Sequence, residues 1–211
     1  MQLKIYVPKH PLIQHLTNLM QSVDIPFTLV KSSAIELTYW LCYEVMREWI
    51  SLSDTELRSI DGGSTTKLIN SEDTLLALPF IKSGLLMSES VNKLSCNTRF
   101  SYVGFRVQEP SDEIVYEDSL LLDNIDHYSK FLILDSIVLS SDRILAMLSF
   151  MVNKGIDLSA VRIVFLLCTS EVLQDIGRIY PNLIIYTSCV KNTDSQSDLQ
   201  PYRDLLEFLQ T

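Results

Sequence analysis

The sequence predicts an α/β fold in which a mainly parallel sheet is flanked by helices. Continuous apolar runs at 131–134 and 161–167 are typical of strands buried on both faces. Strand-like and helix-like segments also alternate from residue 74 to residue 190, which favours parallel strands joined by helices. A chain of 211 residues is long enough to bury a substantial single core.

The first part of the chain, residues 1–52, is predicted to be largely helical. A short extended piece stops at Pro8, and the helix that follows is expected to end at Pro26. Residues 33–49 carry apolar side chains in an i, i+4 row, and a serine followed three residues later by Glu36 suggests a capping box. The second helix is therefore predicted to begin at Ser32 or Ser33.

The middle of the chain alternates between polar turns and apolar elements. Residues 54–71 form a polar loop or an exposed hairpin, and 74–80 read as a strand that leads into a helix at 85–94. A β-hairpin near 100–122 is expected to project from the sheet. Its two strands are predicted at 100–107 and 114–122.

The segment from Phe131 to Gly155 carries the strongest functional signal. A buried strand delivers Asp135 and a short loop to a helix that ends at Gly155, which is where α/β nucleotide-binding domains place a phosphate. This loop contains no glycine, and Asp142 stands where a phosphate would need bare backbone N–H groups. The segment therefore indicates a phosphate-site scaffold whose phosphate chemistry has been damaged.

The remaining elements complete a single domain spanning residues 1–211. A strand at 161–167, a helix from Ser170 to about Arg178 and a strand at 183–188 continue the alternation. The predicted domain then consists of a helical N-terminal part (1–52), an α/β core (74–190) and a C-terminal helix (201–210).

Composition and charge exclude several classes of function. A net charge of −9 argues against nucleic acid as a partner, because phosphate-backbone binding needs clustered Lys and Arg. The sequence has no apolar run of about 18 residues and no signal peptide, so a soluble intracellular chain is expected. No metal site is expected either, because the cysteines and histidines lack metal-ligand spacing. These residues are Cys42, Cys96, Cys168, Cys189, His10, His15 and His127.

Several short motifs, in order along the chain, resemble the uracil phosphoribosyltransferase family, which has a type I phosphoribosyltransferase fold. They correspond to the family's His-Pro-Leu, Leu-Thr-Tyr-Glu, Leu-Arg-Ala-Gly-Leu, Val-Gly-x-Arg and Leu-Asp-Pro-Met-Leu-Ala-Thr-Gly-Gly-Ser segments. In this chain they read His10-Pro11-Leu12, Leu41-Cys42-Tyr43-Glu44, Ile81-Lys82-Ser83-Gly84-Leu85, Val103-Gly104-Phe105-Arg106 and Leu134-Asp135 through Arg143.

The departures from this family concern its chemistry. The resemblance implies a 5′-phosphate site at Thr-Gly-Gly-Ser, which here is Ser140, Ser141, Asp142 and Arg143. The pyrophosphate-side arginine is replaced by Lys82, which keeps the charge but loses the bidentate fork. The family's C-terminal uracil-recognition segment, rich in glycine, is replaced here by a segment without glycine at 195–208.

These losses predict a catalytically degenerate uracil phosphoribosyltransferase-like protein that acts as a structural, assembly or regulatory partner in a protein complex. Its vestigial catalytic positions are Lys82, Arg106 and Asp135, the last standing where the family's acidic residue meets the ribose hydroxyls. One alternative is a divergent active enzyme that makes UMP from uracil and phosphoribosyl pyrophosphate with Mg²⁺, using Lys82, Asp135, Ser140 and Arg143. The other is a nucleotide-sensing module. If the chain is not an active enzyme, no cofactor is expected.

The partner is expected to be another protein or, as the resemblance implies, a second copy of this chain. A surface for a different partner would be an exposed apolar patch, either on the former active-site face or on the C-terminal helix. The candidates on that helix are Leu205, Leu206 and Phe208. The expected compartment is the cytoplasm or the soluble part of an organelle, such as the plastid stroma.

Overall fold

A computed structural model describes residues 2–57, 60, 62, 64–94, 98–108, 113–116, 125, 128–192 and 196–210. Its strands are β1 (Lys4–Tyr6), β2 (Leu52–Thr55), β3 (Thr66–Ile69), β4 (Leu75–Pro79), β5 (Thr98–Phe100), β6 (Phe105–Gln108), β7 (Glu113–Tyr116), β8 (Lys130–Val138), β9 (Val161–Thr169) and β10 (Ile184–Lys191). Its α-helices are α1 (Pro11–Met20), α2 (Phe27–Arg47), α3 (Leu85–Leu94), α4 (Asp142–Asn153), α5 (Ser170–Ile179) and α6 (Gln200–Leu209).

The central sheet has six parallel strands in the order β1-β10-β9-β8-β4-β5. One face packs against α1, α2, α3 and α6, and the other packs against α4 and α5. The predicted fold class is therefore confirmed. Among the described residues, no helix has the length and apolar composition needed to cross a membrane.

The three central strands share a register irregularity near their carboxyl ends. β8 and β9 pair Asp135 with Phe165 and Ile137 with Leu167, and the pairing skips Ser136 and Leu166. The Leu166 carbonyl accepts a hydrogen bond from the Ser188 hydroxyl of β10 at 2.7 Å. As a result, Leu166 and Leu167 both face the layer that contains α1, α2 and α6.

The predicted start of the second helix is wrong. The first helix ends at Met20 instead of continuing to Pro26, and Pro26 precedes the first turn of α2, where its missing N–H costs nothing. Val30 is buried, so the extra turn packs on the core and outweighs the local capping preference of Ser32 or Ser33.

Other boundaries shift for identifiable reasons. β8 extends to Val138, so Asp135 lies within the strand instead of at its end. Thr169, not Ser170, caps α5, because the Thr169 hydroxyl accepts a hydrogen bond from the Val172 amide at 3.4 Å. The predicted C-terminal role of Gly155 after α4 is confirmed by its left-handed backbone, with φ of +79°.

Both predicted hairpins are present. The exposed hairpin within residues 54–71 corresponds to β2 and β3, which pair antiparallel. The projecting hairpin is formed by β6 and β7, while Phe100 belongs to β5 and joins the main sheet instead. Residues 117–124 of the predicted returning strand lie outside the described residues.

Candidate functional site

The candidate site lies at the carboxyl ends of β4 and β8, where the turn after β4 lies against β8. The Phe80 amide donates to the Leu134 carbonyl at 3.0 Å, and the Ser136 amide donates to the Ser83 carbonyl at 3.2 Å. Within the turn, the Gly84 amide donates to the Phe80 carbonyl at 2.8 Å. These hydrogen bonds place the turn directly beside Asp135.

This close approach depends on Gly84. A Cβ atom at this position would lie 2.7 Å from the Phe80 amide nitrogen and closer still to the Leu134 carbonyl oxygen. Both obstacles are backbone atoms, which cannot rotate away as the end of a side chain could. Only glycine therefore allows the turn to reach β8 in this way.

Lys82 occupies the top of the same turn in a left-handed conformation, with φ of +73°. For a residue with a Cβ this conformation costs about 1–2 kcal/mol. Backbone strain of this kind collects at sites that bind ligands, where the surrounding structure holds it in place. The Lys82 side chain is exposed, so its charge is available to a ligand or partner.

Asp135 is completely buried and is paired with Arg143. The Arg143 guanidinium lies 3.5 Å from Asp135 Oδ2, and its carbon lies 5.7 Å from the centre of the Phe80 ring. Burial raises the pKa of the Asp135 carboxyl above its ordinary value, and the charge of Arg143 opposes this rise only in part. The carboxylate that the resemblance places at the ribose hydroxyls is therefore already engaged within the chain.

Several buried polar groups around Asp135 have no hydrogen-bond partner among the described residues. These groups are Asp135 Oδ1 and the buried hydroxyls of Ser83 and Ser136. The Ser83 hydroxyl is near enough to lower the carboxyl pKa slightly, but it does not reach hydrogen-bonding geometry. Buried polar groups are usually paired, so this cluster is more typical of a functional site than of an ordinary core.

The loop before α4 closes on itself. The Ser140 hydroxyl donates to Asp142 Oδ2 at 2.5 Å, and the Asp142 amide donates back to the Ser140 oxygen at 3.3 Å. The Ser141 hydroxyl donates to Asp175 Oδ2 at 3.1 Å. The first helical turn thus faces two carboxylates of its own chain, at the position where a phosphate would bind.

Sequence reasoning did not identify Phe80 and Asp175 as part of this site. Asp175 lies on α5, and it reaches Ser141 because β8 and β9 are neighbours and both lead directly into helices at the same edge. The sequence could have indicated Asp175 only through the general rule that the carboxyl ends of adjacent parallel strands lie at the same edge of a sheet. Sequence reasoning also did not identify the contact between Arg143 and Asp135.

The Mg²⁺ of the alternative enzyme function would be held mainly by the phosphate oxygens of its substrate, with one or two carboxylates of the protein. The described part of the chain holds no group of three His, Cys, Asp or Glu side chains suited to a metal ion. The one buried carboxylate of the site, Asp135, is already paired with Arg143. A divalent cation would have to compete with that arginine for a single carboxylate.

The remaining predicted residues lie apart from this centre. Arg106 is in β6 opposite Val115, and its side chain is outside what the structure describes. Leu205, Leu206 and Phe208 are half-buried and pack on the core of their own domain. Their role in binding a partner stays a prediction, and only the exposed part of each side chain is available for it.

Sheet order, the turn laid on β8 and the loop before α4 together define a type I phosphoribosyltransferase-like α/β protein. A family model described as "Uracil phosphoribosyltransferase" matches residues 7–199. The chain belongs to the uracil phosphoribosyltransferase family.

Known proteins resemble the chain over most of its length. It is 28% identical over 193 residues to "Uracil phosphoribosyltransferase" of Synechocystis sp., covering 90% of this chain and 88% of that protein. It is 29% identical over 200 residues to "Uracil phosphoribosyltransferase homolog" of Porphyra purpurea, covering 94% and 93%. A chloroplastic protein of the same name in Arabidopsis thaliana is 20% identical, covering 88% and 63%.

A solved structure shares the fold. The AQ2163 protein from Aquifex aeolicus superposes with a TM-score of 0.75 at 20% identity, covering 91% of this chain and 89% of that one.

Proposed function

We propose that this chain is a catalytically degenerate member of the uracil phosphoribosyltransferase family that acts as a structural, assembly or regulatory partner in a protein complex. The observation that carries this proposal is the contact between Arg143 and the buried carboxylate of Asp135. Arg143 contacts the carboxylate that, by the resemblance, would bind the ribose hydroxyls. In the family, the position of Arg143 is the serine of the phosphate loop.

Electrostatics at the phosphate loop supports the same conclusion. Phosphoribosyl pyrophosphate carries several negative charges, and Asp142 and Asp175 both contact this loop. Each carboxylate a few ångströms from a phosphate charge opposes binding by about 1–4 kcal/mol. The uracil-recognition segment is also replaced, by a short 3-10 helix and α6.

The mouth of the former site offers a surface for a protein partner. Ile81, Leu85 and Tyr102 are large apolar side chains with 36%, 45% and 40% of their surface exposed. Ile81 directly precedes Lys82, and Leu85 follows it by three residues. The Ile81 amide donates to the carbonyl of Val103, the residue after Tyr102. Exposed apolar side chains gathered at one place are typical of interaction sites. The partner is another protein or a second copy of this chain.

The proposed compartment is the cytoplasm or the soluble space of an organelle such as the plastid stroma. The chloroplastic relative in Arabidopsis thaliana supports the plastid. Microscopy of a fluorescent fusion in the native cell tests this directly, and a signal confined to a membrane or to the nucleus would contradict it.

Titration calorimetry and product analysis test the central proposal. We expect no heat on adding phosphoribosyl pyrophosphate with Mg²⁺ at millimolar concentration, and no UMP when uracil is included. The Synechocystis relative, treated identically, is the positive control. UMP formation would refute the proposal in favour of the divergent enzyme. Binding without UMP would favour a nucleotide sensor.

One observation favours the enzyme as a second candidate. The turn that holds Lys82 keeps both its strained backbone and its glycine-dependent approach to β8. A chain with no remaining use for a pyrophosphate-side turn could replace Lys82 with a residue better suited to φ > 0. If UMP does form, Lys82→Ala should then reduce kcat/KM for phosphoribosyl pyrophosphate about tenfold or more, through loss of a charge-assisted contact.

A further inference from the structure

A cavity lies at the same edge of the sheet as the candidate site, but on different strands. It has a volume of about 580 Å³ and is bounded by residues that follow β1, by one side of α1 and by the last residues of β10. β9 separates β10 from β8, so this cavity lies about 10 Å or more from Asp135. Crevices at the carboxyl ends of parallel strands are the usual ligand sites of α/β sheets.

The charge of this cavity is opposite to that of the chain. The chain has 26 Asp and Glu against 17 Lys and Arg, yet the described residues lining the cavity include Lys9 and Lys191 and no carboxylate. Neither lysine has an ion-pair partner among the described residues. The Lys191 ammonium lies 5.7 Å from the centre of the Tyr202 ring on α6, a contact that restricts its side chain.

Neutral hydrogen-bond donors complete the lining. Gln14 and Asn18 line the cavity from α1, and Cys189 lines it from β10. Val7, Pro8 and Ile13 supply apolar surface. Two ammonium groups, amide donors and an apolar wall, in a volume that suits a small molecule, form the chemistry of an organic-anion site.

We propose that this cavity binds a small organic dianion, a phosphate monoester or a dicarboxylate, whose charges contact Lys9 and Lys191 and whose apolar part lies against Val7, Pro8 and Ile13. Lysine binds either anion as a point charge, so both share this chemistry. The site does not depend on the fate of Asp135 or of the phosphate loop, and it can exist in an active or an inactive chain.

Cys189 provides a local reporter. It is partly exposed at the cavity, whereas Cys42 and Cys168 are buried. Burial also raises the pKa of both buried thiols, that of Cys168 to about 12, so they react slowly. Cys96 lies outside the described residues and is removed by Cys96→Ser. The experiment measures the alkylation rate of Cys189 in this full-length variant by mass spectrometry.

The probes are inorganic phosphate and succinate at constant ionic strength, with acetate as the monoanion control. We expect at least one dianion to slow alkylation of Cys189 saturably in the millimolar range, and acetate to be much weaker. Slowing by phosphate alone assigns the phosphate class, and slowing by succinate alone assigns the dicarboxylate class. Lys9→Gln and Lys191→Gln should each raise the half-effect concentration about two- to fivefold, the range expected for loss of one exposed charge pair.

Lys93→Gln is the matched control, since Lys93 is exposed and pairs with Glu89 away from the cavity. It should leave the half-effect concentration unchanged. Alkylation that neither dianion slows, or slowing that is equal in all three lysine variants, would overturn the proposal. Amide NMR shifts of Ser188 and Lys191 during phosphate and succinate titrations of the unaltered chain give a second readout that needs no variant, and flat titrations would likewise overturn it.

Discussion

Arg143 reaches back from the first turn of α4 to lie 3.5 Å from Asp135 on β8, with its guanidinium over the ring of Phe80. The pair joins the loop before α4, the strand β8 and the turn after β4. If the pair stabilises the fold, replacing either residue should change the free energy of unfolding. This role can therefore be tested by stability measurements without a ligand.

Arg143→Ala should destabilise the protein at neutral pH by about 1–3 kcal/mol, because it leaves a fully buried carboxylate without its positive partner. The expected loss of unfolding free energy is smaller than for a fully buried ion pair, because 36% of the Arg143 side chain is exposed. Urea denaturation measures it. Arg178→Ala is the matched control: its pair with Asp175 is exposed, and its loss should cost less than about 1 kcal/mol. Equal effects of the two variants would contradict a structural role for Arg143.

The raised pKa of Asp135 predicts a specific pH dependence. An acid whose pKa is higher in the folded state holds its proton more tightly there, so its stabilising contribution is present below the ordinary pKa of about 3.9. That contribution is lost as the pH rises through the folded pKa. Asp135→Asn lacks this titration, so its stability relative to the unaltered protein, measured by urea denaturation, should increase as the pH rises above about 4.

Asp157→Asn supplies the control for this measurement. The Ser159 hydroxyl and amide lower the pKa of the exposed Asp157 carboxyl, so its contribution to stability is complete above about pH 5 and is lost only as the pH falls below that value. Its stability difference from the unaltered protein should therefore stay constant above about pH 5. A constant difference for Asp135→Asn as well would show that Asp135 does not titrate as its burial requires.

Gly84→Ala should destabilise the protein by about 2–4 kcal/mol, because the new Cβ meets the backbone of Leu134 and Phe80. Gly177→Ala is a suitable comparison within the same chain. Its Cβ would touch only the flexible Leu3 side chain, at 3.3 Å, and alanine favours the helix, so the change should be within about 1 kcal/mol of neutral. Thermal and urea unfolding of both variants measure the contrast, and similar losses would refute the close approach at Gly84.

Lys82→Gly should stabilise the protein by about 1 kcal/mol, because glycine adopts φ of +73° without the penalty borne by lysine. Lys82→Ala removes the same charge but keeps the Cβ, so it should give no such gain. A gain with both variants would attribute the effect to charge instead of backbone strain.

Restoring the family's loop provides a gain-of-function prediction. The combined change Ser141→Gly, Asp142→Gly and Arg143→Ser removes a carboxylate from the helix N-terminus and frees Asp135. We expect this variant to bind phosphoribosyl pyrophosphate measurably by calorimetry at millimolar concentration. We expect no UMP, because the variant does not restore the glycines of the family's uracil-recognition segment. Binding by the unaltered chain that is equal to or stronger than binding by the variant would show that the loop is not what blocks the donor.

Local patterns in the sequence were enough to predict a parallel sheet flanked by helices and both hairpins. Apolar runs and their periods depend on neighbours along the chain, so Phe131–Leu134 and Gly155 could be assigned without coordinates. Helix ends were less certain, because the burial of Val30 on the core overrode the capping preference of Ser33.

Only the tertiary structure decided what the site's side chains do. Arg143 pairs with Asp135, and Ser141 contacts Asp175, because strand order and helix placement bring residues that are distant in sequence within a few ångströms. The left-handed backbone of Lys82 likewise results from hydrogen bonds between its turn and β8. Such contacts depend on distances between elements, and the order of residues along one chain does not specify those distances.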